Sequence, residues 1–310
     1  MGTAASDRRP ERRQQGSVHT TNTEEQAAFI ESLVAAYAVS PANVNGMPDD
    51  ERVFERPLVG FAAGDDPLWA ELKQQIGDFY WSPADAFALA FPDAAAVPAE
   101  LTVVSWVAPF TTATKLDNRH EADAPSERWA RGKHFGNRFL RGLAAHVMAG
   151  LADRGIQSAA PWYLPQWRGL ASPSFGDASP WSERHAAYAA GLGTFGLCDG
   201  LITPVGKAMR CGSVVARVRI RPTARPYTDH TAYCLAYHGR NGCTGCIQRC
   251  PAAALSETGH DKARCHAYLL KMQAEVIMPG YGFREEACGL CQTGVPCESG
   301  IPPELRPPVR

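Results

Sequence analysis

The sequence predicts an α+β chain in two parts, a helix–strand domain at 23–226 and a cysteine-rich, metal-held module at 227–310. Three observations carry this. Helical and strand periodicities are interleaved through the first part. Eight of the ten cysteines crowd residues 234–297, whereas residues 1–197 hold none. The last part has few long periodic segments, so it needs a covalent or metal staple to fold.

Composition narrows the function classes. With 310 residues, 45% hydrophobic and 20% charged, the chain is an ordinary globular protein rather than a disordered, collagen-like or coiled-coil one. The 31 basic and 32 acidic residues nearly balance, which argues against nucleic-acid binding driven by bulk charge. No apolar run reaches the length of a membrane span. The N-terminus shows no secretory signal, because Arg8–Arg13 lead into polar residues. A cytoplasmic location is expected, and there clustered cysteines hold metal rather than disulfides.

The elements follow in order. Residues 1–22 are polar and read as a disordered tail. Thr23–Gln26 fits a capping box, and Ile30, Leu33, Val34 and Tyr37 follow with helical spacing. Asp66-Pro67 opens a helix carrying Trp69, Leu72, Ile76 and Phe79, and Ser82-Pro83 opens a shorter one. Leu101–Ala108 reads as a buried strand closed by Pro109. Ser126 caps a long helix to about Leu151, with Phe135, Phe139, Leu143 and Val147 in one stripe. Ser179-Pro180 is expected to start a helix through Ala190. Gly212–Ile220 alternates as a half-buried strand, and Arg221–Pro226 reads as a linker.

The chemistry lies in the cysteines. Cys243-Thr-Gly-Cys246-Ile-Gln-Arg-Cys250-Pro251 is C-x2-C-x3-C-P, the tail of the bacterial ferredoxin run. Two cysteines separated by two residues can face one cubane, and the Cys before Pro leaves in an extended direction towards another. The first Cys of that run is replaced by Arg240, with Cys234 the nearest substitute. Cys265, Cys288, Cys291 and Cys297 follow, and eight thiolates match two [4Fe-4S] clusters. The crossing rule groups Cys234, Cys243, Cys246 and Cys297 at one cluster and Cys250, Cys265, Cys288 and Cys291 at the other. Structural zinc also uses C-x2-C pairs, but it would leave the extra cysteines unexplained. Cys198 and Cys211 have no partner at ligand spacing and read as buried inert thiols.

Gly191-Leu-Gly193-Thr-Phe-Gly196 is a literal G-x-G-x-x-G, but it follows an apparent helix rather than a strand. Nicotinamide binding is therefore not expected. A Schellman-type helix exit, or close backbone approach to a bulky ligand, accounts for the glycines.

Asp177-Ala-Ser-Pro180-Trp-Ser-Glu183-Arg184, Ala190–Gly196 and the C-x2-C-x3-C-P run together resemble epoxyqueuosine reductases and, more distantly, reductive dehalogenases. Arg131-Gly132-Lys133 and Asp261–Cys265 add looser likenesses. The resemblance spans roughly 100–300. The chain departs from it at Arg240 and in the C-x2-C-x5-C ending, and it has no helical-repeat extension. The resemblance implies a nitroreductase-like cobalamin-binding domain followed by a ferredoxin-like two-cluster module. It implies that an external ferredoxin- or flavodoxin-type donor feeds electrons through the clusters to a corrinoid. Asp177 is then the proton donor, and Gly191, Gly193 and Gly196 approach the corrin. Neither His134 nor His185 is expected to bind cobalt. The substrate is a small molecule or, less in keeping with the charge, tRNA. The alternative is a ferredoxin-type electron carrier with no catalytic cofactor of its own.

Overall fold

A computed structural model of the chain describes residues 16–240 and 242–307, with side chains from residue 23 onward. The first part runs α1 (Gly16–Ala38), β1 (Leu58–Ala63), α2 (Leu68–Ile76), α3 (Pro83–Ala90), β2 (Thr102–Pro109), α4 (Thr112–His120), α5 (Glu127–Ala152) and β3 (Ser158–Ala159). It continues through β4 (Leu170–Ser172), β5 (Gly176–Ala178), α6 (Glu183–Ala189), β6 (Thr194–Phe195), β7 (Leu201–Ile202) and β8 (Met209–Ala216). The cysteine-rich part holds α7 (Leu235–His238), α8 (Gly245–Gln248), β9 (Leu255–Ser256), β10 (Gly259–His260) and α9 (Lys262–Met272), which runs on as π-helix over Gln273–Tyr281.

The organiser is an antiparallel sheet of order β1-β2-β8-β3. Helices cover both of its faces. Val104, Trp106 and Val214 pack with Ile30, Val34, Phe139, Leu143 and Val147 of α1 and α5. Val103, Val107 and Val215 pack with Trp69, Leu72, Phe87 and Ala186 of α2, α3 and α6. Each large aliphatic side chain buried this way contributes about 1.5–3 kcal/mol. Two-sided cover explains why all of β2 is buried and reads as one apolar run. Trp106 stands opposite Gly212 in register, and a Cβ there would sit 2.5 Å from the indole nitrogen. Glycine is what lets the ring lie across the strand.

The sequence expectations hold for α5 and for the starts of α2 and α3, although α2 ends at Ile76, before Phe79. Three differences have physical causes. The tail read at 1–22 lies outside the described residues up to 15, and the α1 backbone already starts at Gly16, upstream of Thr23. Helix growth from a formed nucleus adds one hydrogen bond per residue, so a capping-box sequence does not by itself stop it. The helix expected from Ser179-Pro180 starts instead at Glu183, capped by Ser182. Pro180 O accepts from Trp81 N–H (2.8 Å) and the Ser179 hydroxyl donates to Trp181 O (2.8 Å), which commits 179–181 to other partners. The Gly212–Ile220 strand in fact spans Met209–Ala216 and is not half-buried, because it lies inside the sheet between β2 and β3. Strand β1 and helix α4 have no counterpart in the sequence reading.

The cysteine-rich part docks through polar groups at α4. Arg249 donates to Leu290 O (3.3 Å), Thr293 O (3.1 Å), Glu121 O (2.8 Å) and Asn118 O (3.0 Å). Asn118 is buried and bridges Thr293 Oγ1 to the Ser126 N–H that opens α5. Arg119 pairs with buried Glu298 at 2.5 Å. Burial pushes the Glu298 carboxyl up, but Arg119 and the Gly294 N–H outweigh it and hold the group below the usual carboxylate range. Arg249→Ala should therefore leave several carbonyls without donors. The expected loss is about 1.5–3 kcal/mol, read as a lower thermal midpoint under anaerobic conditions.

Candidate functional site

The eight clustered thiols are divided between two adjoining cavities. The smaller is lined by Cys234, Cys243, Cys246 and Cys297. Cys250, Cys265, Cys288 and Cys291 line the larger. Helix α8 begins between Cys243 and Cys246, and its exit at Arg249 turns Cys250 away towards the other set. Among the described residues, no three His, Cys, Asp or Glu converge on a point that could hold a single metal ion. Tetrahedral zinc needs four ligands each about 2.0–2.3 Å from one ion. Thiols spread around a cavity suit a polynuclear cluster better.

Cys198 departs from the expectation of an inert, isolated thiol. It packs in one cluster with Cys246 and Cys291, one from each set, and Lys207 Nζ lies 3.3 Å from its sulfur. Its position between β6 and β7 folds it back into the thiol layer, which spacing along the chain does not reveal. Cys211 is only half-buried and lines the larger cavity. It sits in β8, and burial pushes its thiol up to about 12.

The larger cavity has a volume of about 1180 Å³, at the upper end for a ligand site. It opens at the end of the sheet, between α5, α6, the start of β8 and the cysteine-rich part. Its wall holds buried polar atoms without partners: Tyr80 Oη, Trp106 Nε1, Glu183 Oε2, His185 Nδ1 and Arg210 Nε. Unpaired buried polar atoms are costly, and several around one cavity point to a ligand that pairs them. A bulky cofactor rimmed with amide groups would supply both donors and acceptors. Arg210 is held in place by Asn137 Oδ1 (2.7 Å), and Lys133 is tied to Glu285 (3.3 Å) and the Glu286 carbonyl.

The sequence-predicted site residues fare differently. Asp177 lies on β5, at the cavity rim, and is exposed. Its carbonyl accepts from Lys262 Nζ at 3.1 Å, tying the β4–β5 hairpin to α9. Burial around the Asp177 carboxyl, which an acid working near neutrality requires, is not what the structure provides. Gly191 is the left-handed residue of a Schellman exit (φ +76°), with Leu192 N–H on Ala187 O at 2.9 Å and Gly191 N–H on Tyr188 O at 3.1 Å. Gly191 faces the Ala224 carbonyl and Gly193 the Ile202 carbonyl, so both glycines serve close packing of protein on protein. Only Gly196 of the three lines the cavities.

Glu183 belongs to the Asp177–Arg184 motif, whose spacing does not single it out. It enters the cavity wall from the first turn of α6. Burial pushes its carboxyl up to about 8, partly offset by the Ser213 hydroxyl. That hydroxyl is itself fixed by accepting from Trp181 Nε1 (3.0 Å), which leaves its hydrogen for Glu183. His185 is held neutral, its pKa lowered to about 3 by burial and by the Arg184 charge. His134 instead pairs with Glu285 at 3.3 Å, outside the cavity lining.

A carboxyl whose pKa rises on folding keeps a proton that the unfolded chain releases above its ordinary pKa. Its contribution is full below about 4.5 and is lost as pH climbs to about 8. Glu183→Gln removes that loss. In cluster-loaded protein without added corrinoid, Tm of the variant minus Tm of the wild type should grow from about pH 5 to about pH 8 and then level off. An unchanging difference would place the Glu183 carboxyl in ordinary solvent.

No family model matches the chain. The chain is 28% identical over 166 residues to epoxyqueuosine reductase from Bacillus cereus, covering 51% of this chain and 41% of that protein. A second epoxyqueuosine reductase, from Bacillus anthracis, matches with the same identity and coverage. The chain thus spans about two fifths of the length of these curated relatives. Among solved structures, epoxyqueuosine reductase with an epoxyqueuosine-modified tRNA-Tyr stem loop matches at TM-score 0.48 and 16% identity, over 93% of this chain and 68% of that one. A catabolic reductive dehalogenase with 3-bromo-4-hydroxybenzoic acid matches at TM-score 0.46 and 14% identity, over 91% and 38%. Among the described residues, no helix is long and apolar enough to cross a membrane. In sequence, the chain is epoxyqueuosine reductase-like.

Proposed function

We propose that the chain is an iron–sulfur reductase of the corrinoid-dependent kind. It would hold two [4Fe-4S] clusters in a ferredoxin-like module and a cobalamin in the large cavity of a nitroreductase-like domain. The observation that carries this reading is the pairing of two four-thiol sets with one large cavity whose buried polar wall lacks partners. Cys234, Cys243, Cys246 and Cys297 would hold one cluster. Cys250, Cys265, Cys288 and Cys291 would hold the other, against the large cavity. Tyr80, Trp106, His185 and Arg210 would pair with the corrinoid's periphery, with Gly196 giving close approach. Bound there, a corrinoid supplies reductive cleavage chemistry that side chains lack.

The chain's own part is position and protons. Glu183 stands protonated near neutral pH inside the wall, so it can deliver a proton without exposure to water. Asp177 is the donor that the family resemblance implies, and from the rim it would act after the β4–β5 hairpin turns inward. The substrate is read as a small molecule entering at that rim, since a net charge of −1 offers little for a polyanion. A ferredoxin- or flavodoxin-type protein is the expected donor. The large cavity is what sets this reading apart from a plain electron carrier, which has no use for it.

Metal analysis of protein reconstituted anaerobically with hydroxocobalamin tests the reading. About eight iron atoms and about one cobalt per chain are expected. Iron without cobalt would return the chain to the electron-carrier reading, and zinc alone would overturn both. Cys243→Ser and Cys288→Ser should each remove about half of the iron, whereas the double variant should lose nearly all. In reductive turnover, Glu183→Gln should cost about 10²–10⁴-fold if Glu183 is the acid. The same loss in Asp177→Asn alone would reassign the role to the rim.

A further inference from the structure

Lys207 is a buried cation with sulfur around it. The residue is 3% exposed and lines both thiol cavities. Its Nζ lies 3.3 Å from Cys198 Sγ. It shares the smaller cavity with Cys246 and Cys297 and the larger with Cys198 and Cys291, so both thiol sets are represented. Cys198 itself packs in one cluster with Cys246 and Cys291.

The backbone is built to put the ammonium there. Lys207 N–H bonds to Cys297 O at 2.9 Å and to Glu298 O at 3.1 Å, and Ala208 N–H also bonds to Glu298 O at 3.1 Å. Gly206 has φ +89°, and a side chain on it would collide with the Glu298 carbonyl. Gly200 clears the path of the stem, since a Cβ there would lie 2.8 Å from Lys207 Cδ. The turn that carries Lys207 is thus latched to the segment that carries Cys297.

A buried ammonium without an anion is strongly disfavoured. A cubane with its four thiolates is an anion, and it gains one more negative charge when reduced. Cluster potentials respond to local charge and to hydrogen bonds at sulfur. Resting on the two-cluster reading above, we propose that Lys207 is a shared electrostatic bridge that raises the reduction potential of both clusters. Cys198 holds the ammonium in place and is not a cluster ligand. Lys207 acts on a one-electron exchange: one cluster is oxidised by one electron, the other is reduced by one, and no bond forms or breaks. A single cation between the two sites favours the reduced form of each. It therefore lifts both potentials.

The test is an EPR-monitored redox titration of reconstituted holoprotein, with dithionite as reductant, alongside iron analysis. Lys207→Met should lower both midpoint potentials by at least tenfold in the reduction equilibrium, about 59 mV for one electron. Lys207→Arg keeps the charge and should hold both within that margin. Cys198→Ser should retain full iron. Unchanged potentials in a Met variant that carries both clusters would overturn the bridge, and a shift in only one would overturn its sharing. If the Met variant does not load, the Arg variant decides: a tenfold fall in either potential sinks the proposal. Loss of half the iron in Cys198→Ser would make Cys198 a ligand and overturn its assigned role. Wild-type protein without two cluster signals removes the two-cluster reading, and this inference with it.

Discussion

The carboxylate of Glu298 is buried and fully engaged, by Arg119 from α4, by the Gly294 N–H at 2.6 Å and by Ser299. Its own carbonyl receives the N–H groups of Lys207 and Ala208. One residue thus ties α4, the loop before β8 and the segment that bears the last cysteine. The apolar cluster beneath the thiols is small, and it borrows Leu197 and Ile202 from the helix–sheet part. With so little core of its own, the cysteine-rich part depends on these polar ties for its position. The two cavities exist because that position is fixed.

The cavity wall separates two kinds of carboxyl. Asp177 lies on a short exposed hairpin. Glu183 starts a helix pressed on the sheet, next to Ser213 and without a partner for one oxygen. Burial is what pushes the Glu183 carboxyl up. The spacing of the motif carries no information about that burial.

Legibility in the sequence follows range. Ser126, Ser82 and Pro83 act on the next few residues, so the starts of α5 and α3 could be read directly. The eight cysteines were legible because their spacing is itself the constraint. Two-sided burial of β8 was not, since it depends on β2 and β3 from distant parts of the chain. The same holds for Cys198, which looks isolated along the chain and is crowded in space. Gly191 and Gly193 were legible as sites of close approach, but the approaching surface is the protein's own backbone at Ala224 and Ile202.

The segment 221–226 looks like a connector, yet it is bonded to the outer strand. Thr223 N–H meets Phe61 O at 2.9 Å, Phe61 N–H meets Thr223 Oγ1 at 2.9 Å, and Arg225 pairs with Asp66 at 2.8 Å. Strand β1 is an edge of the sheet, and an open edge is a template for pairing with another chain. The connector therefore works as a selvedge, finishing the sheet where it would otherwise fray into intermolecular contacts. A fragment ended before Arg221 would lose that finish and expose β1, whereas one ended after Pro226 would keep it. Where the chain is divided thus decides whether β1 keeps its cover.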